Sequence, residues 1–519
     1  MEGVIAKEEG RGSVMEKITF MKLSEIELEC LPHFTSFLLG KNYMLYCPGL
    51  QKLTIAHCSK MRSFTQQSLM EIDQDAPSLF NPQVQFPRLK KMVLSHLDDL
   101  SKIWTDNPQE TLTFDYLQKI EAKNCKSLEI LFPHWVARNL SHIKKLHIES
   151  CGLKEIVARG DPPSITAQFL FPELTTLVLH DMPQLKSFCP NLPTLNWSFL
   201  KELRLTHCDK LNMFSVMAFM NKWAQRDDQN ELSDHEAHFS LERDIPILER
   251  LLLVDKDIQM ILDGKFPDDI FSKPKALTLA CFHDKKAVFP PRFLLERFQN
   301  LQSLEVFCSS FEDIFPNEGL VDEGLHPALE NLSELKLRKL QNIKRVWRED
   351  YLVAKILHSI ETFEVWDCPN LTTIFPAMAS FQNLTKLVVK NSSGLVHLVT
   401  FSTVTNLVHL TEMTIIGCER MKEIVANDGK GEGEVISLEK LETLELQHMP
   451  SLLSFSSIES CIFRFPLLDD VKVEECPRMK IFSRGIVSTP ELHYAMLFQH
   501  IWDVRLEGDL NTAMQKLSA

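Results

Sequence analysis

One pattern of apolar and polar positions recurs along this chain: an apolar residue, two variable ones, apolar, one variable, apolar, two variable, then cysteine or another apolar residue. Three segments carry it without a gap: LQKLTIAHCSKMRSF from Leu50, LTTLVLHDMPQLKSF from Leu174 and LETLELQHMPSLLSF from Leu441. The second and third apolar positions alternate with period two, as Leu177 and Leu179 do, which predicts a short strand with one buried face. The pattern starts at Leu23, Leu50, Leu89, Leu117, Ile143, Leu174, Leu200, Leu248, Pro274, Leu301, Leu332, Ile360, Leu384, Leu410, Leu441, Leu468 and Ile501, seventeen times in all. Most starts lie 24 to 33 residues apart, with 39 before Leu89 and 48 before Leu248. A unit of that size cannot bury its apolar face alone, so the units must stack, and their strands then form one parallel sheet.

That period and those strand leucines belong to leucine-rich repeats. The expected architecture is an α/β solenoid, a leucine-rich-repeat horseshoe of about 17 repeats with a parallel concave sheet and an irregular convex side. Residues 17–519 form the array, and residues 1–16 form a flexible N-terminal segment. Connections such as MPQLKSFCPNLPTL combine prolines with short apolar clusters, which suits turns and brief helical pieces rather than long helices. Polar insertions are expected near 62–85, 221–244, 317–326 and 427–434. Seven cysteines share one register, three residues after the last strand leucine: Cys58, Cys125, Cys151, Cys208, Cys368, Cys418 and Cys476. Leu97, Met182, Leu340 and Met449 fill the same register elsewhere, so the position demands apolar bulk, and the cysteines are expected to be buried and reduced.

Composition narrows the function. A hydrophobic share of 44% with 24% charged residues supports a packed core. The net charge of −14 argues against a surface that grips phosphate backbones, so nucleic acid is not the expected partner. The first twenty residues lack the apolar core of a secretory signal, and no run of eighteen apolar residues follows, which gives the expectation of a cytoplasmic protein without a membrane partner. Thirteen cysteines without a CxxC pair are too sparse for a disulfide scaffold.

No catalytic, cofactor or metal constellation emerges. Gly40-Lys41 and Gly429-Lys430 lack the following Ser or Thr of a phosphate loop. His57-Cys58 and His207-Cys208 are adjacent strand-end residues that point apart, and the acidic loop from Asp428 to Glu434 lacks calcium-loop spacing. Attention therefore falls on the variable residues beside the strand leucines. Two residues after each start, Lys52, Lys91, Lys119 and Lys145 line up over four repeats, and the same column later reads Glu334, Glu412, Asp470 and Asp503. Stacked like charges repel, so either a partner offsets the lysines or Glu121 and Glu149 neutralise them locally. Six residues after each start, Phe307, Arg338, Trp366 and Lys390 follow one another, an aromatic and basic column with the chemistry of a protein-binding hot spot; its alternative is that Phe307 and Trp366 pack on each other or on a loop.

LTEMTIIGCERMKEIVAND from Leu410, FPELTTLVLHDMPQLKSF from Phe171 and FPLLDDVKVEECPRMKIF from Phe465, with their irregular lengths, strand-end cysteine and MP dipeptide, carry a resemblance. The array resembles the C-terminal leucine-rich-repeat region of plant coiled-coil nucleotide-binding (NB-ARC) disease resistance proteins, over essentially the whole chain. The resemblance implies a non-catalytic recognition module that senses a pathogen effector or a guarded host protein and restrains a nucleotide-binding switch, here without that switch in the chain. It implies two partners: that protein ligand, and the nucleotide-binding region in cis or in trans. Two other readings are a substrate adaptor of a ubiquitin ligase, which needs an N-terminal docking box, and an extracellular receptor ectodomain, which needs strict 24-residue repeats and more glycines than the seventeen present.

Overall fold

The computed structural model describes residues 5–6, 16–39, 43–65, 77–105, 114–158, 170–189, 197, 199–211, 248–262, 271–283, 297–315, 331–347, 358–376, 381–429, 433–497, 500–503 and 509–518. Of the expected insertions, residues 66–76, 221–244, 317–326 and 430–432 lie outside that set, as do 1–4 and 7–15 of the N-terminal segment. The chain divides into two compact units, residues 1–252 with 256–263 and residues 253–255 with 264–519.

In the first unit, five-residue strands at Glu25–Glu29, Lys52–Ala56, Lys91–Ser95, Lys119–Lys123, Lys145–Glu149, Thr176–His180 and Glu202–Thr206 pair in parallel, each in register with the next; Arg250 and Leu251 continue the series. In the second unit a ladder of the same kind runs through Ala276–Ala280, Ser303–Phe307, Glu334–Arg338, Thr362–Trp366, Lys386–Lys390, Glu412–Ile416, Thr443–Gln447 and Asp470–Glu474 to Tyr494–Leu497. The described residues thus hold seventeen strands of this kind, sixteen of them two residues after an expected start. The exception is Ile501. His500–Asp503 pairs antiparallel with Tyr494–Leu497, and the last parallel strand follows Leu492 instead. Asp503 therefore leaves the acidic column, whose place is taken by Tyr494. The sequence ruler favoured the stronger apolar pair around Ile501 over Ala495 and Leu497.

Inward side chains such as Leu177 and Leu179 are wholly buried, and their outward neighbours are half-buried, which is the expected alternation. Burying each such leucine contributes roughly 1.5–3 kcal/mol.

Fifteen of these strands end in a left-handed corner. Fourteen non-glycine residues adopt φ between 48° and 61° there, from Cys30, His57, His96 and Asn124 to Asn391, His448 and Glu475; Gly417 is the one glycine in the series. The corner turns the chain inward and aims its own amide at the last carbonyl of the following strand: His57 N donates to Ser95 O at 2.9 Å, Lys339 N to Trp366 O at 2.9 Å and Gly417 N to Gln447 O at 2.9 Å. The next residue along is the cysteine register. Its thiol donates to the carbonyl two residues back, from Cys58 to Ala56 O at 3.4 Å, Cys368 to Trp366 O at 3.5 Å and Cys476 to Glu474 O at 3.4 Å. Ser309 and Ser392 donate in the same way at 2.9 Å and 3.1 Å.

All thirteen cysteines are free, and six of the seven ladder cysteines are buried. Cys208 is only half-buried. The following strand runs straight into the helix Asp255–Leu262 in place of a corner.

The outer side is more regular than expected. Short strands there pair in parallel, for example Ser36–Leu39 with Ser63–Thr65, Ile130–Phe132 with Glu155–Val157, and His397–Thr400 with Glu423–Ala426 and Ser454–Ser456. Beneath them aromatic side chains build a spine, several of them fourteen or fifteen residues after a start. In the first unit Phe37, Phe64, Phe80, Trp104, Phe132, Phe171, Phe188 and Trp197 follow one another at centroid distances of 4.8 to 6.4 Å. Trp104 and Trp197 each donate their indole N–H to a backbone carbonyl at 2.9 Å. Helices are brief, the longest described being Leu510–Ser518.

Burial pushes the thiols of Cys208 and Cys368 up to about 12 and those of Cys418 and Cys476 up to about 11. In native buffer a thiol reagent should therefore modify exposed Cys30 first and Cys208 slowly, and reach Cys368, Cys418 and Cys476 only on unfolding. Replacing Cys368 by Asp should cost several kcal/mol, against about 1–2 for Ala. Labelling of Cys418 as fast as Cys30 would refute the ladder.

Candidate functional site

Because strands pair in register, residues at one repeat position stand side by side on the sheet face. Lys52, Lys91, Lys119 and Lys145 occupy consecutive cross-strand positions in the first unit, forming the expected column. Three of the four are paired within the protein. Lys52 bonds Glu25 of the preceding strand, and Glu121 takes both Lys119 at 2.7 Å and Lys91 at 3.5 Å. Glu149, the other expected neutraliser, pairs instead with Lys123 at 3.0 Å. Lys145 is exposed and has no ion pair among the described residues. Desolvation opposes ionisation of Glu121, but Lys119 and Lys91 outweigh it and hold the carboxyl below its usual range; Lys123 does the same for Glu149. Column repulsion is thus relieved by carboxylates one step along the strand.

In the second unit Phe307, Arg338, Trp366 and Lys390 are likewise consecutive and half-buried. Phe307 and Trp366 do not pack on each other, since Arg338 stands between them. Its guanidinium carbon lies 4.1 Å from the Trp366 ring centroid, and Lys390 Nζ lies 5.1 Å from the same ring, so the indole is flanked by two cations from its two neighbouring strands. Lys339 Nζ lies 5.5 Å from the Phe307 ring. Two residues unmarked in the sequence hold this stack in place. Glu364 and Glu305, from the strands on either side, take the Arg338 nitrogens at 2.9 Å and 3.3 Å. The mid-strand column containing Glu305, Lys336 and Glu364 is the signal that could have found them. Of the later acidic column, Glu334 pairs with Lys336 at 2.6 Å and Glu412 with Lys386 at 2.8 Å, so that column is interrupted by a lysine rather than uniformly acidic.

At these columns the face presents cations, carboxylates and aromatic rings in rows. No helix among the described residues is long and apolar enough to cross a membrane.

A family model described as plant disease resistance protein RPS2-like, leucine-rich repeats, matches residues 12–152, 247–380 and 377–488. Among solved structures, the plant peptide hormone receptor RGFR1 in complex with RGF2 is 10% identical over 90% of this chain and 88% of that chain, with a TM-score of 0.23. The TLR13–ssRNA13 complex is 13% identical over 87% and 70%, with a TM-score of 0.28, and a TDR receptor is 10% identical over 91% of each chain, with a TM-score of 0.25. At these scores the likeness carries nothing about ligands.

Arg338 is the shared counter-charge of two carboxylates, and its removal should leave them facing each other. Arg338→Met should lower stability by about 1–3 kcal/mol, and adding Glu305→Gln and Glu364→Gln should recover most of that loss. Urea titration of the four proteins checks this; additive losses would show that the clamp does not exist.

Proposed function

Because this chain belongs to the plant disease resistance protein RPS2-like leucine-rich-repeat family, we propose that it is the non-catalytic protein-recognition module of a cytoplasmic immune receptor, and that its two units do different jobs. The lysine column of the first unit docks an acidic surface on a nucleotide-binding region, in the same polypeptide or another. The column of Phe307, Arg338, Trp366 and Lys390 in the second unit receives the protein ligand, a pathogen effector or a guarded host protein.

The observation that carries this reading is the Trp366 stack. A large aromatic side chain held half-exposed on a sheet face, with its rotamer fixed by Arg338 and Lys390, is pre-organised for contact and loses little freedom when a partner covers it. The lysine column supports the second contact in a different way. Its cations are balanced inside the protein except at Lys145, so it contributes rim electrostatics, which set association rate and salt sensitivity more than buried affinity.

The test pairs Lys145→Glu, which breaks no internal ion pair, with Trp366→Ala in a receptor chimera carrying a nucleotide-binding region. Lys145→Glu should weaken docking by roughly 1–3 kcal/mol and flatten its salt dependence while leaving ligand binding intact. Trp366→Ala should cost ligand binding at least about 2 kcal/mol and leave docking intact. Identical effects of the two changes on both contacts, or none, would overturn the division of labour.

A further inference from the structure

The left-handed corners form a row of their own, which in the second unit reads, after Cys281 and Cys308, Lys339, Asp367, Asn391, Gly417, His448 and Glu475. Among these Gly417 alone has no side chain. The gap it leaves is the floor of an open groove of about 670 Å³. Asn391, His448 and Glu475 of the corner row line it, and so do Ser393, Glu419, Pro450 and Pro477, each two residues after a corner residue.

The chemistry of that groove is one-sided. A Cβ placed on Gly417 would lie 2.3 Å from Asn391 Oδ1, so this oxygen overhangs the floor. The Asn391 amide nitrogen is already spent on Asp367 Oδ1 at 2.9 Å, leaving the oxygen facing the space without a donor. Glu419 is exposed and makes no hydrogen bond or ion pair among the described residues. Glu475 accepts from His448 Nδ1 at 2.7 Å through one oxygen, which leaves the other for a ligand. No lysine or arginine lines the groove. Beside the Ser393 hydroxyl it therefore presents an amide oxygen and two carboxylates, together with two flat proline rings, and lacks a lysine or arginine to satisfy them.

We propose that the groove over Gly417 receives an arginine side chain of a protein partner. A guanidinium matches it better than an ammonium because its five donors spread in one plane can reach several acceptors at once, while its weakly hydrated faces can lie against proline. A glycine at the corner is what makes the room; any other residue of the row would fill it. This site is separate from the sheet-face columns and does not rest on them.

The probe is the capped tripeptide acetyl-Gly-Arg-Gly-amide, with its lysine and citrulline counterparts, titrated against the full chain at low salt by saturation-transfer NMR. The arginine peptide should bind saturably, the citrulline peptide about tenfold more weakly or not at all, and the lysine peptide in between. Glu419→Gln should weaken the arginine peptide by about tenfold. Gly417→Asn should abolish its binding without lowering the unfolding temperature, because Asn already occupies this corner at 124 and 391 and the Asn391 side chain can swing aside. Trp366→Ala and Lys145→Glu should leave it unchanged, which separates this site from the sheet face. Absence of saturable binding to the native chain, equal affinity for the citrulline peptide, or undiminished binding to the Gly417→Asn protein would each overturn the proposal.

Discussion

Everything repeated in this molecule hangs on one backbone hydrogen bond, the one a left-handed corner residue donates to the last carbonyl of the following strand. Asn124 N to Glu149 O, Asp181 N to Thr206 O and Asp367 N to Lys390 O are three instances, each at 2.9 Å. The bond extends the parallel ladder by one residue past the strand and tips the chain inward, so that the next side chain, cysteine in seven repeats, lands in the core. Its cost is conformational. A left-handed residue other than glycine is unfavourable by about 1–2 kcal/mol, less for Asn and Asp, whose short polar side chains tolerate the region. The chain accepts that cost fourteen times, and at twelve of those corners the same residue also closes a ladder bond.

Much of this was legible in the sequence, for a physical reason: a period-2 strand inside a period of 24 to 33 residues leaves few alternatives to stacking. Sixteen strand positions, the burial of Cys58, Cys125, Cys368, Cys418 and Cys476, and the two columns of candidate contact residues all followed from counting. Three features did not. The final strand was displaced to Ile501 because an antiparallel return strand is also apolar, and a ruler for side-chain pattern is blind to strand direction. The half-exposure of Cys208 is not marked in its own repeat, which carries the same register as the six buried cysteines. The aromatic spine, Phe64 through Trp197, shows in the sequence only as isolated SF and SFC fragments, since Phe80, Phe171 and Trp197 do not share the spacing of the others from a repeat start.

The same constraint separates stability from recognition. Inward positions and corners are fixed by packing and backbone geometry, whereas the outward positions of each strand carry almost no obligation beyond avoiding like charges in a row. The lysine column meets that obligation through Glu25 and Glu121, and the Trp366 stack through Glu305 and Glu364. Recognition chemistry can therefore be rewritten from repeat to repeat without touching the core. The corner row has less freedom, because its side chains must tolerate the left-handed backbone, and Gly417 is where it opens into a groove.

The central claim, that the turns are held by left-handed corners, is tested most directly at Lys339, an exposed residue with φ of 54°. Equilibrium unfolding in urea of the native chain, Lys339→Gly and Lys339→Val gives the answer. The corner account expects glycine to be neutral or stabilising by up to about 1 kcal/mol and valine, β-branched and confined to φ below zero, to cost at least about 2. Equal stability of the glycine and valine proteins would contradict it.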